Sequence, residues 1–182
     1  MHNRSRLKFF IILTLLQINN SIQSADFGTF RIHLRGLGPI HINDTLIQIE
    51  KKLSIKLKGG REKNDFGDKA CYFYSAPELS GVSLMFTGYA NDVKLSRIYI
   101  SNPNFQTLSG LKLRSDISLI LSTYKDNIQQ TKEHYTGDMM LIFVPKDQSD
   151  KNFRIIFLTD NKKVTQISVG KIPEIFAVEG CD

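Results

Sequence analysis

The chain has 182 residues, with 24 Lys and Arg against 18 Asp and Glu, giving a formal net charge of +6. That length suits one domain or two small halves sharing a core. Three of the basic residues, Arg4, Arg6 and Lys8, precede an apolar run at the start; without them the net charge falls to +3, which argues against a dedicated nucleic-acid or anionic-membrane surface.

Residues 1–25 read as a secretory signal peptide. The basic residues come first, then the apolar run from Phe9 to Leu16, then polar Gln17, Asn19 and Asn20, and finally the small residues Ser21, Ser24 and Ala25. Cleavage is expected after Ser24 or Ala25. The alternative is a retained membrane anchor, but a span needs about twenty apolar residues and this run supplies roughly half of them. No cysteine lies near the cut, so no lipid anchor is expected, and no transmembrane segment follows. The expected location is the periplasm or the extracellular space.

After the signal, sliding the sequence against itself aligns residues 40–53 with residues 111–124, an offset of 71. Each copy opens with an alternating apolar pair, Ile40 and Ile42 or Leu111 and Leu113. A capping residue follows, Asp44 or Thr45 in one copy and Ser115 or Asp116 in the other. Apolar residues then recur at helical spacing, at Leu46, Ile49 and Leu53 and at Ile117, Ile120, Leu121 and Tyr124. Three β-rich runs come after each helix, over residues 70–75, 82–87 and 94–100 in the first half and 139–144, 153–158 and 164–169 in the second. The basic segment between Lys51 and Lys63 is interleaved with Glu50 and Glu62 and reads as a solvated helix end and loop.

The expected fold class is therefore α+β: two tandem repeats, each a helix plus a three-stranded antiparallel meander, forming one sheet with helices on one face. The expected boundaries are 1–25 for the signal peptide, 26–106 for the first half, 107–171 for the second, and 172–182 for a C-terminal tail tied by a disulfide. The two cysteines, Cys71 and Cys181, form an even pair in an exported protein, most simply one bridge, with two free thiols as the alternative.

No nucleophile elbow, phosphate-cradling loop or zinc-ligand run occurs, and no cofactor or metal is expected. His33 and His41, with seven residues between them, specify no metal geometry. The Tyr72-Phe73-Tyr74 run is the strongest candidate interface. Alternation separates Phe73 and Cys71 from Tyr72 and Tyr74, with Arg97 and Tyr99 on a nearby strand. Such residues anchor protein interfaces, and they equally cover cores.

The phrase from Gly36 to Leu46, GLGPIHINDTL, resembles the opening of small exported bacterial proteins similar to the tandem repeats of the β-lactamase inhibitor protein and to the SmpA/OmlA-type assembly lipoproteins. Cys71, the strand start Gly81-Val82-Ser83 and the closing Glu179-Gly180-Cys181 extend the resemblance to the first of these. The resemblance implies the fold. Asn43-Asp44-Thr45 departs from the usual Gly-Met-Thr and the lipidation cysteine is missing, so neither membrane tethering nor enzyme inhibition is carried over. The functional expectation is an exported, non-catalytic, protein-binding or envelope-associated module whose partner is another envelope or extracellular protein. The alternative is a secreted hydrolase using His134 with Glu133 or His41 as acid and base.

Overall fold

The computed structural model describes residues 26–61, 69–89, 92–178 and 180–181. The expected signal peptide lies outside them. The chain first forms three short strands, β1 (Arg31–His33), β2 (Gly36–Leu37) and β3 (Ile40–His41), and the helix α1 (Leu46–Leu53). Four longer strands follow, β4 (Lys58–Arg61), β5 (Lys69–Ser75), β6 (Val82–Tyr89) and β7 (Asp92–Ile100). Then come β8 (Gln106–Thr107) and the helix α2 (Ile117–Tyr124). The last four strands are β9 (Ile128–Lys132), β10 (Met139–Phe143), β11 (Phe153–Thr159) and β12 (Val164–Lys171).

These strands make two sheets. A four-stranded one has the order β3-β2-β1-β8, and an eight-stranded one has the order β4-β5-β6-β7-β12-β11-β10-β9. The large sheet is antiparallel throughout and consists of two four-stranded meanders that meet where β7 pairs with β12, Ile98 opposite Val169. One apolar core lies on its inner face, where Leu84, Phe86, Leu141 and Phe157 from the large sheet meet Ile32 and Ile40 of the small sheet, Ile49 of α1 and Ile120 of α2.

The fold is thus mostly β, which corrects the α+β expectation of helix-plus-three-strand repeats. Three physical reasons account for the difference. Each helix is only eight residues long, ended by Ser54 in the left-handed region and by Lys125 at φ 41°. Each meander has a fourth strand, β4 or β9, at an edge of the sheet. Lys58-Gly59-Gly60-Arg61 and Ile128-Gln129-Gln130-Thr131-Lys132 carry no apolar alternation, because an edge strand of this kind buries little side-chain surface. Finally, the apolar pairs before the helices belong to a separate small sheet and its continuation, instead of extending the large one.

Two bulges dock the small elements onto the large sheet. Where β6 and β7 shift register between Met85 and Phe86, Leu95 turns its backbone away from the ladder. Its carbonyl accepts from Asn43 N at 2.8 Å and its N–H donates to Asp44 O at 2.8 Å. The same pair of bonds recurs 71 residues further along at the entry to α2. Arg114 N donates to Val164 O at 2.9 Å and Val164 N to Ser115 O at 3.0 Å, beside the register shift of β11 and β12. Asn43 and Arg114 both sit at positive φ, 77° and 70°.

Candidate functional site

Period-two alternation decides which residues reach the outer face of the large sheet, opposite the core. In β5, Tyr72 lies opposite Phe86 and Tyr74 opposite Leu84, so both tyrosines pack inward. Tyr74 meets Phe86 edge-on, 5.4 Å between centroids. Cys71 and Phe73 face outward. A register row then runs across the sheet from Phe73 to Met85, Arg97, Gly170 and Arg154. The next row runs from Ser83 to Tyr99, Ser168, Ile156 and Ile142.

The chain covers much of this outer face itself. The segment after β12, described over residues 172–178 and 180–181, turns back and crosses the sheet as a strap. Cys181 is bonded to Cys71, with 5.4 Å between their Cα atoms, and no described cysteine is free. The bridge is the one expected from the cysteine count. Ile175 is buried between Ile142 and Ile156. It fits there because Gly170 has no side chain: a Cβ at that position would stand 3.0 Å from Ile175 Cδ1 and 2.7 Å from Ser96 O. At the far end, Gly180 lies against the Phe73 and Tyr99 rings, and a Cβ there would stand 2.9 Å from Phe73 Cζ.

Arg97 is the polar centre of the covered face. It is only 7% exposed, its Nη1 donates to Ala177 O of the strap at 2.8 Å, and its guanidinium lies over the Tyr99 ring, 4.2 Å from the centroid. Burial lowers the Arg97 pKa from its ordinary value, and the neighbouring phenol works the other way. Burial also raises the Tyr99 pKa, opposed by the Arg97 charge. Under the strap Thr87 Oγ1 donates to a Glu174 carboxylate oxygen at 3.3 Å and shares a short hydrogen bond with Ser96 Oγ. Three buried atoms of this region, Arg97 Nε, Ser168 Oγ and Glu174 Oε2, have no hydrogen-bond partner among the described residues.

Beside the strap an open groove of about 500 Å³ remains, lined by Phe73, Ser83, Tyr99, Ser101, Gln166 and Val178. The Phe73 and Tyr99 rings stand 5.9 Å apart in it. Three apolar strap residues stay at the surface: Ile172 is 38% exposed, Phe176 43% and Val178 55%.

The four expected interface residues are therefore not brought together. Arg97 and Tyr99 share the outer face, whereas Tyr72 and Tyr74 help cover the core. Gly170, Ser168, Glu174, Ile175 and Phe176 went unnoticed in the sequence. The one available signal was the tail itself, Ile172 to Val178, an apolar segment with an acidic residue and no obvious anchor of its own.

The expected acid–base residues have other occupations. Glu133 caps the turn between β9 and β10, its Oε2 accepting from Tyr135 N at 2.9 Å and Thr136 N at 2.7 Å. Those backbone bonds, that of Thr136 foremost, hold its carboxyl below the ordinary range. His134 stacks edge-on with Tyr135 on the same exposed hairpin. His41 instead sits on β3, 5.2 Å from the ring of His33. Lys52 ties that corner to α1 with a 2.6 Å ion pair to Asp44. His33 is half-buried with Nε2 3.1 Å from Gly38 O, and burial lowers its pKa. Among the described residues no group of three His, Cys, Asp or Glu side chains is arranged to hold a metal ion.

No protein family matches the chain, and no curated protein does. Among solved structures it is similar to the crystal structure of the uncharacterized protein yfeY from Escherichia coli, at 14% sequence identity and a TM-score of 0.42, over 71% of this chain and 90% of that one.

Proposed function

We propose that this chain is an exported, non-catalytic protein-binding module that presents the strapped outer face of its large sheet to an envelope or extracellular protein. The observation that carries this reading is the surface of the strap. Phe176 and Val178 are held at the surface by the disulfide and by Arg97, and Val178 lines a groove together with the Phe73 and Tyr99 rings. Apolar and aromatic groups fixed in place before binding lose little entropy on association and serve as interface anchors. The disulfide is compatible with a compartment outside the cytoplasm, and no helix among the described residues is long and apolar enough to cross a membrane. Export by cleavage after Ser24 or Ala25 belongs to the same proposal, as does the resemblance of residues 36–46 to exported envelope proteins.

Two measurements test it. Mass spectrometry of the chain recovered from its cells is expected to find an N-terminus at Ala25 or Asp26; an intact Met1 in the extracytoplasmic fraction refutes cleavage. Affinity capture from envelope extracts is expected to recover a specific protein with the wild-type chain and with the Ile47→Ala variant, whose substitution lies on exposed α1. A folded Phe176→Ala/Val178→Ala variant is expected to recover it about tenfold less well. Equal recovery removes the strapped face from the binding surface.

A further inference from the structure

We infer that the paired imidazoles of His33 and His41 form an acid-triggered release at the corner where α1 and the small sheet dock onto the large one. This corner lies on the core side of the large sheet and works whatever the strapped face binds.

The register of the small sheet brings the two rings together. His33 of β1 stands opposite Gly36 of β2, and Gly36 stands opposite His41 of β3, so one row holds two imidazoles with no side chain between them. The ring centroids are 5.2 Å apart. His33 is half-buried, with its Nε2 donating to Gly38 O at 3.1 Å. His41 Nδ1 lies 3.5 Å from the Lys52 ammonium. An ammonium group only donates, so this nitrogen must accept, and a proton on it would face a like charge.

Asp44 ties the corner to the docking joint. Its carboxylate accepts from Lys52 Nζ at 2.6 and 2.8 Å and from His41 N at 2.7 Å. Its backbone oxygen accepts from Leu95 N at 2.8 Å, beside the bond from Asn43 N to Leu95 O. The other charged groups of the surrounding elements are engaged elsewhere. Arg31 donates to Thr29 O and Phe30 O, Arg35 pairs with Asp150, Glu50 with Lys56, and Lys94 with Asp92. Lys171 Nζ donates to Asn43 Oδ1, and Lys51 is exposed on α1.

Acid reverses the balance at this corner. Burial foremost holds the His33 pKa below its ordinary 6.5; the Gly38 bond opposes it and the His41 charge adds to it. An opened corner therefore takes up its proton first as pH falls below 6.5, and the closed corner loses stability as pH falls through the folded pKa. With both rings charged, His33, His41 and Lys52 crowd three cations around the Asp44 carboxylate, and like charges this close repel. The matching joint at α2 has no such trigger. The residues 71 positions beyond His41, Asp44 and Lys52 are Lys112, Ser115 and Thr123, none of which changes charge between neutral and mildly acid pH.

Amide exchange at about pH 7.5 and about pH 5, corrected for the intrinsic pH dependence of exchange, tests the release across the range in which histidine titrates. The Asn43 and Leu95 amides are expected to lose protection about tenfold in acid, the factor equivalent to one unit of pKa. Those of Arg114 and Val164, which make the matching bonds at α2, are expected to keep theirs. A His33→Gln/His41→Asn variant, whose amides cannot take up the proton, is expected to stay protected at both pH values. In the wild-type chain, NMR of the ring protons is expected to show His33 titrating below 6.5, and higher in a single His41→Asn variant. Unchanged Asn43 and Leu95 protection in acid overturns the inference. Equal loss at Arg114 and Val164, loss that persists in the double variant, or a His33 that titrates at or above 6.5 overturns it as well. Should the double variant not fold, the wild-type exchange and the ring titration decide.

Discussion

Tyr99 concentrates the physics of the outer face in one side chain. It is half-buried, with Arg97 over its ring and Phe73 tilted beside it. In the unfolded chain its phenol ionises at the ordinary 10.0, and burial in the folded chain raises that value. The folded state therefore keeps the proton after the unfolded state has lost it. The associated stability is complete below pH 10.0 and is lost as pH rises through the folded pKa. The expected outcome is a urea midpoint that falls in the alkaline range for the wild-type chain and falls less for a Tyr99→Phe variant. Parallel curves for the two proteins refute this account of Tyr99. Arg97, by contrast, shows why a residue type alone predicts little. Its position in β7 and its partner Tyr99 are both readable as neighbours in sequence, yet its role follows from a carbonyl 80 residues away.

The helix α1 is the element whose local rules are most fully obeyed. Thr45 at its N-cap accepts from Gln48 N at 3.3 Å, and the Gln48 side chain accepts from Thr45 N at 2.8 Å, the reciprocal pair of a capping box. Replacing Thr45 by Ala is expected to lower stability by about 1 kcal/mol. Chemical denaturation measures it, and a change near zero means that the tertiary bonds of Asn43 and Asp44 to Leu95 hold the helix start by themselves. The corresponding start of α2 has no side-chain cap. Asp116 there pairs with Lys163 at 2.9 Å, and the chain relies on the Val164 bonds to fix its direction. The central strands were legible because each alternates apolar and polar residues or is apolar throughout. The edge strands β4 and β9 were not, since their sequences have no buried side to advertise.

Across the whole molecule the disulfide is the long-range covalent constraint, joining residues separated by 110 positions. Closing a loop of that length restricts the unfolded chain and stabilises the fold by about 4 to 5 kcal/mol in the chain-entropy description. The Cys71→Ser/Cys181→Ser variant is expected to lose several degrees or more of melting temperature while keeping its β-rich circular dichroism. Retention of the full wild-type melting temperature would show that the bridge constrains the strap without stabilising the sheet. Stabilising the sheet and holding the strap are separable here, because the large sheet already has its own core on the opposite face, from Leu84 and Phe86 to Leu141 and Phe157.

By itself the sequence determined the periods of the central strands, the helix starts and the pairing of its two cysteines, because each depends on local alternation, on capping or on a count. Which face Tyr72 and Arg97 occupy relative to each other depended on register across a bulged pair of strands, and a single extra residue such as Ser96 reverses everything beyond it. The strap was likewise a tertiary decision. Nothing local to Ile175 specifies that Gly170, Ile142 and Ile156 will leave a space of its size, since those residues come from three different strands. The tail that the sequence tied down only through its cysteine proves to be the part of the chain that shapes the outer face, held there by one arginine, one isoleucine and one disulfide.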